Sequence, residues 1–415
     1  MIEIRNGKRF PKILIGGFVL AIVLVAVVLV TQPGLVQAVG GNINYLPLVA
    51  KNTNSVGNSN YVIIGWNDLG MHCYDRDYST SAVLPPYNNL WAQVIERGDP
   101  PQVVTNGIKV EYGFPDNNDS TSKTNFWQYA QKLFGQNLAP NIGLAGKGLF
   151  GEMDPAGDHF VADGVPLTEF SDSNPTVPDY YQMARLIAKD SFGNVLATTD
   201  FVAPVSSEMR CDTCHNVPNT TNFRMNILLK HDELESTSLA AQAQGGNPVL
   251  CSSCHADPAL GTPGVPGVKT LSAAMHGRHQ DKTNNCYSCH PGPATKCLRD
   301  VMSVEEGMTC TDCHQGGMAA LASTTRTPWV DLPRCGNCHD SQFAENSGTL
   351  YKLSTGHGGL YCESCHNSTH AILKSREEKD NRQAIALQGE ADTIHKCTVC
   401  HLTQPSSGGP HGGGD

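Results

Sequence analysis

The sequence predicts an N-terminal signal or anchor helix, a mostly β domain with some helix, and then an irregular domain of short helices and loops. Three observations carry this prediction. A run of apolar residues at 13–30 follows four cationic ones. Between Tyr61 and about Ser206 the chain holds a single cysteine, Cys73, and shows strand-like apolar segments. From Arg210 onward cysteine and histidine become dense, long strand patterns vanish, and Gly, Pro and Asn punctuate short helical pieces.

Arg5, Lys8, Arg9 and Lys12 before residues 13–30 have the layout of an export signal. The run is also long enough to span a bilayer, and Val36-Gln37-Ala38 offers a small-residue cleavage site. Residues 1–38 are therefore a cleaved signal peptide or a retained anchor, and both readings place the remainder outside the cytoplasm. Membrane contact is expected only through this segment. Residues 39–59, rich in Asn, Gly and Ser, read as a linker. A net charge of −10 with no basic run argues against a phosphate-binding surface, so no nucleic-acid partner is expected.

Residues 60–206 form the predicted β domain. Strands are expected at 61–66, 90–95 and 108–112, and a hairpin at 181–189 and 195–202 across the turn Asp190-Ser-Phe-Gly-Asn194. Phe126, Tyr129, Ala130, Leu133 and Phe134 recur at helical spacing, which predicts one amphipathic helix at 125–136. Residues 207–405 form the Cys/His-rich domain, and the Gly-rich tail 406–415 reads as disordered.

Fourteen of the sixteen cysteines fall into seven Cys-x-x-Cys-His motifs. They are Cys211/Cys214/His215, Cys251/Cys254/His255, Cys286/Cys289/His290, Cys310/Cys313/His314, Cys335/Cys338/His339, Cys362/Cys365/His366 and Cys397/Cys400/His401. At this composition the pattern arises by chance roughly 0.03 times in such a chain. Two cysteines on one helical turn reach the two vinyl groups on one edge of a haem, and the adjacent histidine points at the iron. An array of zinc sites built from CxxC pairs does not require that histidine, and a thioredoxin-like CxxC needs a βαβ setting absent here. The expected cofactor is haem c, seven per chain, covalently attached.

Nine histidines remain for the distal positions. His231 shares a helical face with Ile227 and Leu234, and His276 and His279 lie one turn apart before Cys286. His357 and His370 bracket the sixth motif, and His395 precedes the seventh. These six, with His72 as the seventh, are the expected distal ligands. His159 reads as a surface residue and His411 as part of the tail. Met308 and Met318 flank the fourth motif and read as packing against the porphyrin. Cys73 and Cys297, outside the motifs, are expected to pair as a disulfide in an oxidising compartment.

Seven haems within about 190 residues leave fewer than about thirty residues each, too few to wrap every haem in its own core. A compact body of that length has a radius of gyration of roughly 16 Å, so the haems must be neighbours. Electron transfer, with no catalytic residues, is the function this predicts. The alternative is an oxidoreductase with one open haem acting on a nitrogen or sulfur oxyanion.

The stretches GWNDLGMHCYD at 65–75, LPPYNN at 84–89, CYSCHPGPATKCLRD at 286–300 and PRCGNCHD at 333–340 resemble exported multihaem c-type cytochromes. Metal-respiring bacteria use such proteins in extracellular electron transfer. The resemblance implies low-potential bis-histidine haems assembled after export, at the cell surface, in the periplasm or outside the cell. It also implies redox partner proteins or an extracellular acceptor. Some similar cytochromes self-assemble into conductive filaments.

Overall fold

Alternating apolar residues in the first half of the chain build two facing sheets. The structure, a computed structural model, describes residues 59–215, 222–406 and 409–411. The predicted signal or anchor and nearly all of the predicted linker lie outside the described residues, among which no helix is long and apolar enough to cross a membrane. The strands are β1 (Tyr61–Trp66), β2 (His72–Cys73), β3 (Ser81–Ala82), β4 (Asn89–Glu96), β5 (Gln102–Val103), β6 (Ile108–Gly113), β7 (Gly151–Glu152), β8 (Asp154–Pro155), β9 (Phe160–Asp163), β10 (Tyr181–Asp190), β11 (Val195–Ser206) and β12 (Val249–Leu250). The longer helices are α1 (Phe126–Phe134), α2 (Phe223–Glu235), α3 (Leu271–His279) and α4 (Glu378–Gln388).

One sheet runs β1-β4-β9-β8 with β5 added on β4, and the other runs β2-β11-β10-β6-β7. Ile63, Leu90, Val94, Val110, Leu186 and Phe201 fill the space between them. Gly65 marks the closest approach, because a Cβ there would sit 2.6 Å from Leu186 and 2.7 Å from Phe201. The predicted hairpin is present as the antiparallel pair β10–β11, and Asp190 accepts from the Phe192 and Asn194 amides to close its turn.

Successive side chains of a strand point to opposite faces, and β1 buries both. Ile63 enters the inter-sheet core, whereas Val62 and Ile64 join Leu373, Ala384, Ile394 and Val399 from the Cys/His-rich segment. Helix α4 seals the join: the Gln383 side chain accepts from the Gly65 amide and donates to the Gly65 carbonyl, both at 2.8 Å. The boundary expected near residue 206 therefore does not separate two bodies. The described residues form one compact unit, because the outer face of β1 is too apolar to be left in water.

Two ion pairs brace the same join, the first by reaching across it to a backbone carbonyl and the second by spanning it. Arg299 forms a two-pronged pair with Asp380 at 2.6 and 2.9 Å and also donates to the carbonyls of Gly70 and Cys297. Gly70 has φ +75°, and any Cβ there would strike the Thr369 carbonyl. Asp68, also buried, accepts from Lys352 at 3.0 Å, Asn89 at 3.2 Å and the ring of His72 at 3.2 Å. Burial pushes its carboxyl up, but the hydrogen bonds and charges of His72 and Lys352 outweigh that and hold it at about 2. An unfolded Asp titrates near 4. The native state therefore prefers the ionised form, and its contribution of about 2 kcal/mol is complete above pH 4 and lost as pH falls toward 2. Urea midpoints for the wild type should drop across that window, and in Asp68→Asn the drop should be smaller. An equal drop in both proteins would refute the role of Asp68.

Candidate haem-ligation sites

All seven motifs fold the same way. Each sits on one short helical turn, at Asp212–His215, Cys251–Ser253, Cys286–Ser288, Cys310–Cys313, Cys335–Asn337, Cys362–His366 and Cys397–Val399. In six of them the histidine amide donates to the carbonyl of the first cysteine at 2.8–3.1 Å. That bond winds four residues into one turn and brings the two sulfurs and the imidazole of each motif together.

Six motif histidines face a second imidazole. The ring centroids are 6.2 Å apart for His215 and His279, 6.3 Å for His255 and His231, and 6.1 Å for His290 and His276. They are 6.4 Å apart for His314 and His370, 5.8 Å for His366 and His411, and 6.1 Å for His401 and His357. Half an imidazole ring at each end plus two metal–nitrogen bonds of about 2.0–2.1 Å spans about 6 Å. Ordinary aromatic pairing covers similar distances, but it would not select partners. Here every pair joins one motif histidine to one non-motif histidine.

The outer ring nitrogens are held as ligand nitrogens usually are. Nδ1 faces a backbone carbonyl at 2.8 Å in His255 (Lys269), His276 (Ser272) and His279 (Met275), and at 3.1 Å in His411 (Gln342). A carbonyl can only accept, so Nδ1 carries the proton and Nε2 keeps its lone pair. Side chains serve elsewhere: Asn226 for His215, Thr237 for His231 and Asp99 for His401. Burial pushes His366 and His370 down to about 4, with the charge of neighbouring histidines adding to it, which keeps these rings neutral. Two imidazoles held about 6 Å apart with no hydrogen bond between them fit a pair of axial ligands.

The β domain supplies much of this scaffold. Asp75 pairs with Arg224 on α2, and Asn222 caps that helix while bonding Thr80, so strand-domain residues set where His231 stands. Helix α3 carries His276 and His279 toward two different motifs. Sulfur neighbours order the motifs in space. Burial is the main cause of the raised cysteine thiols, and each also feels a sulfur of the next motif: Cys211 for Cys251, Cys289 for Cys211, and Cys286 for Cys310. The series continues with Cys338 for Cys313, Cys362 for Cys335 and Cys365 for Cys400. The motifs thus run two, one, three, four, five, six, seven. A cleft of about 340 Å³ opens between the fourth and fifth, lined by His314, Val330, Arg334 and Asn337 among others.

Several expectations need correction. His72 is buried on β2 against Asp68 and Tyr87 and faces no motif histidine, because the sheet core claims it. His411, assigned from sequence to the tail, stands opposite His366 and against Phe343. No signal in the Gly-rich tail marks it as a candidate. His159 is buried, stacked on Trp91 at 4.7 Å and hydrogen-bonded near Tyr361, so it is no surface residue. His395 faces no motif histidine, and among the described residues no imidazole stands opposite His339.

The cysteines of a motif are not equivalent either, although the sequence presents them as matched pairs of anchors. Cys214 and Cys254 are exposed, as are Cys289, Cys313 and Cys338, whereas Cys211, Cys251, Cys286, Cys310 and Cys335 are half-buried. In the sixth and seventh motifs all four cysteines are half-buried, because Cys365 and Cys400 pack against the apolar cluster beneath β1. Cys73 and Cys297 are unbonded thiols, yet both pack against the cluster of Met71, Tyr181 and Val202. The Cys297 sulfur lies 3.8 Å from Nδ1 of His370.

Glu363, inside the sixth motif, carries no signal in the sequence. Burial and then the charge of Asp68 push its carboxyl well above the usual carboxylate range, which favours the neutral form beside Trp66.

No family model, curated protein or solved structure matches the chain.

Proposed function

We propose that this chain is an exported c-type cytochrome that binds seven haems and conducts electrons along them. The supporting observation is the set of six imidazole pairs, each formed by a motif histidine and a distant histidine held at the separation of two axial ligands. The cysteine pairs would anchor each haem by two thioethers, and the motif histidines would be proximal ligands. In the first two sites the exposed sulfurs of Cys214 and Cys254 would form the outer thioether, and those of Cys211 and Cys251 the inner one. His279, His231, His276, His370, His411 and His357 would be distal ligands of the first, second, third, fourth, sixth and seventh sites. A haem supplies an iron that accepts and releases one electron. The protein's own part is to close both faces of that iron, exclude water and hold successive sites side by side.

A zinc array has less support. A structural zinc needs four protein ligands, and among the described residues no group of three or more His, Cys, Asp or Glu converges to hold a metal. The unfaced His339 is the one observation that favours an open, catalytic haem.

Intact mass and pyridine haemochrome quantification are expected to give seven haems per chain. A redox titration should be broad, because neighbouring charges shift one another's potentials. A stable count of six or fewer would remove at least one motif. Rapid turnover of nitrite, hydroxylamine or tetrathionate would favour the oxidoreductase reading.

A further inference from the structure

Sixteen histidines and seven motifs leave an imbalance that one chain does not resolve. Six pairs account for twelve histidines, and His339, His395, His72 and His159 remain. Two of these are committed elsewhere: His72 is buried on Asp68, and His159 is buried between Trp91 and Tyr361. His339 and His395 are both exposed. One is a motif histidine with nothing opposite it, and the other is a spare imidazole with no motif opposite it.

His395 is nevertheless prepared as a ligand. Its Nδ1 faces the Thr393 carbonyl at 2.8 Å, the arrangement found in His255, His276, His279 and His411. That contact places the proton on Nδ1 and leaves the Nε2 lone pair outermost. The other neighbour of Nε2 is Glu390 at 3.5 Å, a half-exposed carboxylate that Lys396 holds more closely at 2.9 Å. An exposed contact of this kind contributes little and is readily given up.

We propose that His395 of one copy of this chain supplies the distal ligand of the fifth haem in a second copy, opposite that copy's His339. This rests on the heptahaem reading. Each chain offers one donor and one vacancy, so the numbers close at one contact per neighbour. Trp329, just before the fifth motif and 42 % exposed, offers an apolar side chain for a neighbouring copy to cover. The two patches differ, so the contact is head-to-tail and propagates into a filament or closes into a ring. It also sets the seventh motif of one copy, two residues beyond His395, beside the fifth haem of the next. Ligation transfers no proton: the Nε2 lone pair enters the sixth coordination position and Nδ1 keeps its hydrogen bond.

The test uses full-length holoprotein, wild type and His395→Ala, by sedimentation velocity and EPR across a concentration series. In the wild type, sedimentation should rise with concentration while a high-spin signal from one-seventh of the iron fades. His395→Ala should stay monomeric at every concentration and keep that high-spin seventh. Added imidazole should return it to low spin without assembly, which separates a missing ligand from a damaged fold. The proposal is overturned by a variant that assembles and stays fully low-spin, or by a wild type whose spin state ignores concentration. Haem counts on the same samples keep the two readings apart. Fewer than seven counts against the heptahaem reading, whereas seven with no dependence on His395 counts only against this contact.

Discussion

Replacing both His276 and His279 by alanine should convert two-sevenths of the iron from low to high spin, with each single variant converting one-seventh. The two residues lie three apart on α3, and a three-residue step turns an α-helix by about 300°. Their rings therefore diverge by about 60°, one toward His290 and the other toward His215, at 6.1 and 6.2 Å. Both hold Nδ1 on the carbonyl four residues earlier, so each is positioned by its own helix and neither depends on the other. Additive loss is the expected signature. Because the first and third motifs lie between the second and fourth in space, the double variant also interrupts the chain of haems near one end. EPR and visible spectra of the holoproteins check this. A double variant with an unchanged low-spin spectrum would mean that α3 supplies no ligand.

Replacing Asp380 by alanine should destabilise the protein by about 3–5 kcal/mol, the usual cost of stranding one member of a buried ion pair. Arg299 and Asp380 are both fully buried, and Asp380 also accepts from the Ser375 hydroxyl at 2.6 Å. Without the carboxylate, the Arg299 guanidinium keeps only the Gly70 and Cys297 carbonyls and the face of Tyr181. The damage should reach a haem site, because the Arg299 amide donates to the His370 carbonyl at 2.9 Å and His370 faces His314. The urea midpoint should fall, and the signal of one iron should broaden before global unfolding. The double replacement Arg299→Met with Asp380→Leu should be milder than Asp380→Ala, since no charge is left unpaired. A double variant less stable than Asp380→Ala would show that the pair contributes more than charge compensation.

Much of this protein is decided within a few residues of chain. The strand β1 was legible from its short run of apolar residues, and α1 from aromatic side chains at helical spacing. The turns at the motifs follow from local winding, since in six of the seven the histidine amide bonds a carbonyl four residues back. The proposal of haem as the cofactor rests on that local pattern. Five of the seven expected distal histidines, His231, His276, His279, His357 and His370, do face motif histidines.

Which histidine faces which was not legible, because a facing imidazole arrives through space and its distance along the chain carries no information. His279 crosses back to a motif 64 residues earlier in the numbering, while His276, on the same helix, serves the motif that follows. His357 lies just before the sixth motif but faces the seventh. Nor does the motif itself say which sulfur is covered: Cys254 and Cys365 hold the same place in their motifs, yet one is exposed and the other packs beneath β1. His72 and His411 exchange the roles their neighbourhoods suggest. His72 lies on a short strand whose buried Asp68 holds its ring inside the β domain. His411 follows a Gly-rich stretch with no packing signal, yet the Gln342 carbonyl fixes its ring opposite His366. The merging of two predicted domains into one body has a similar cause: the apolar outer face of β1 is visible in the sequence, but only the tertiary structure shows that Leu373, Ala384, Ile394 and Val399 cover it.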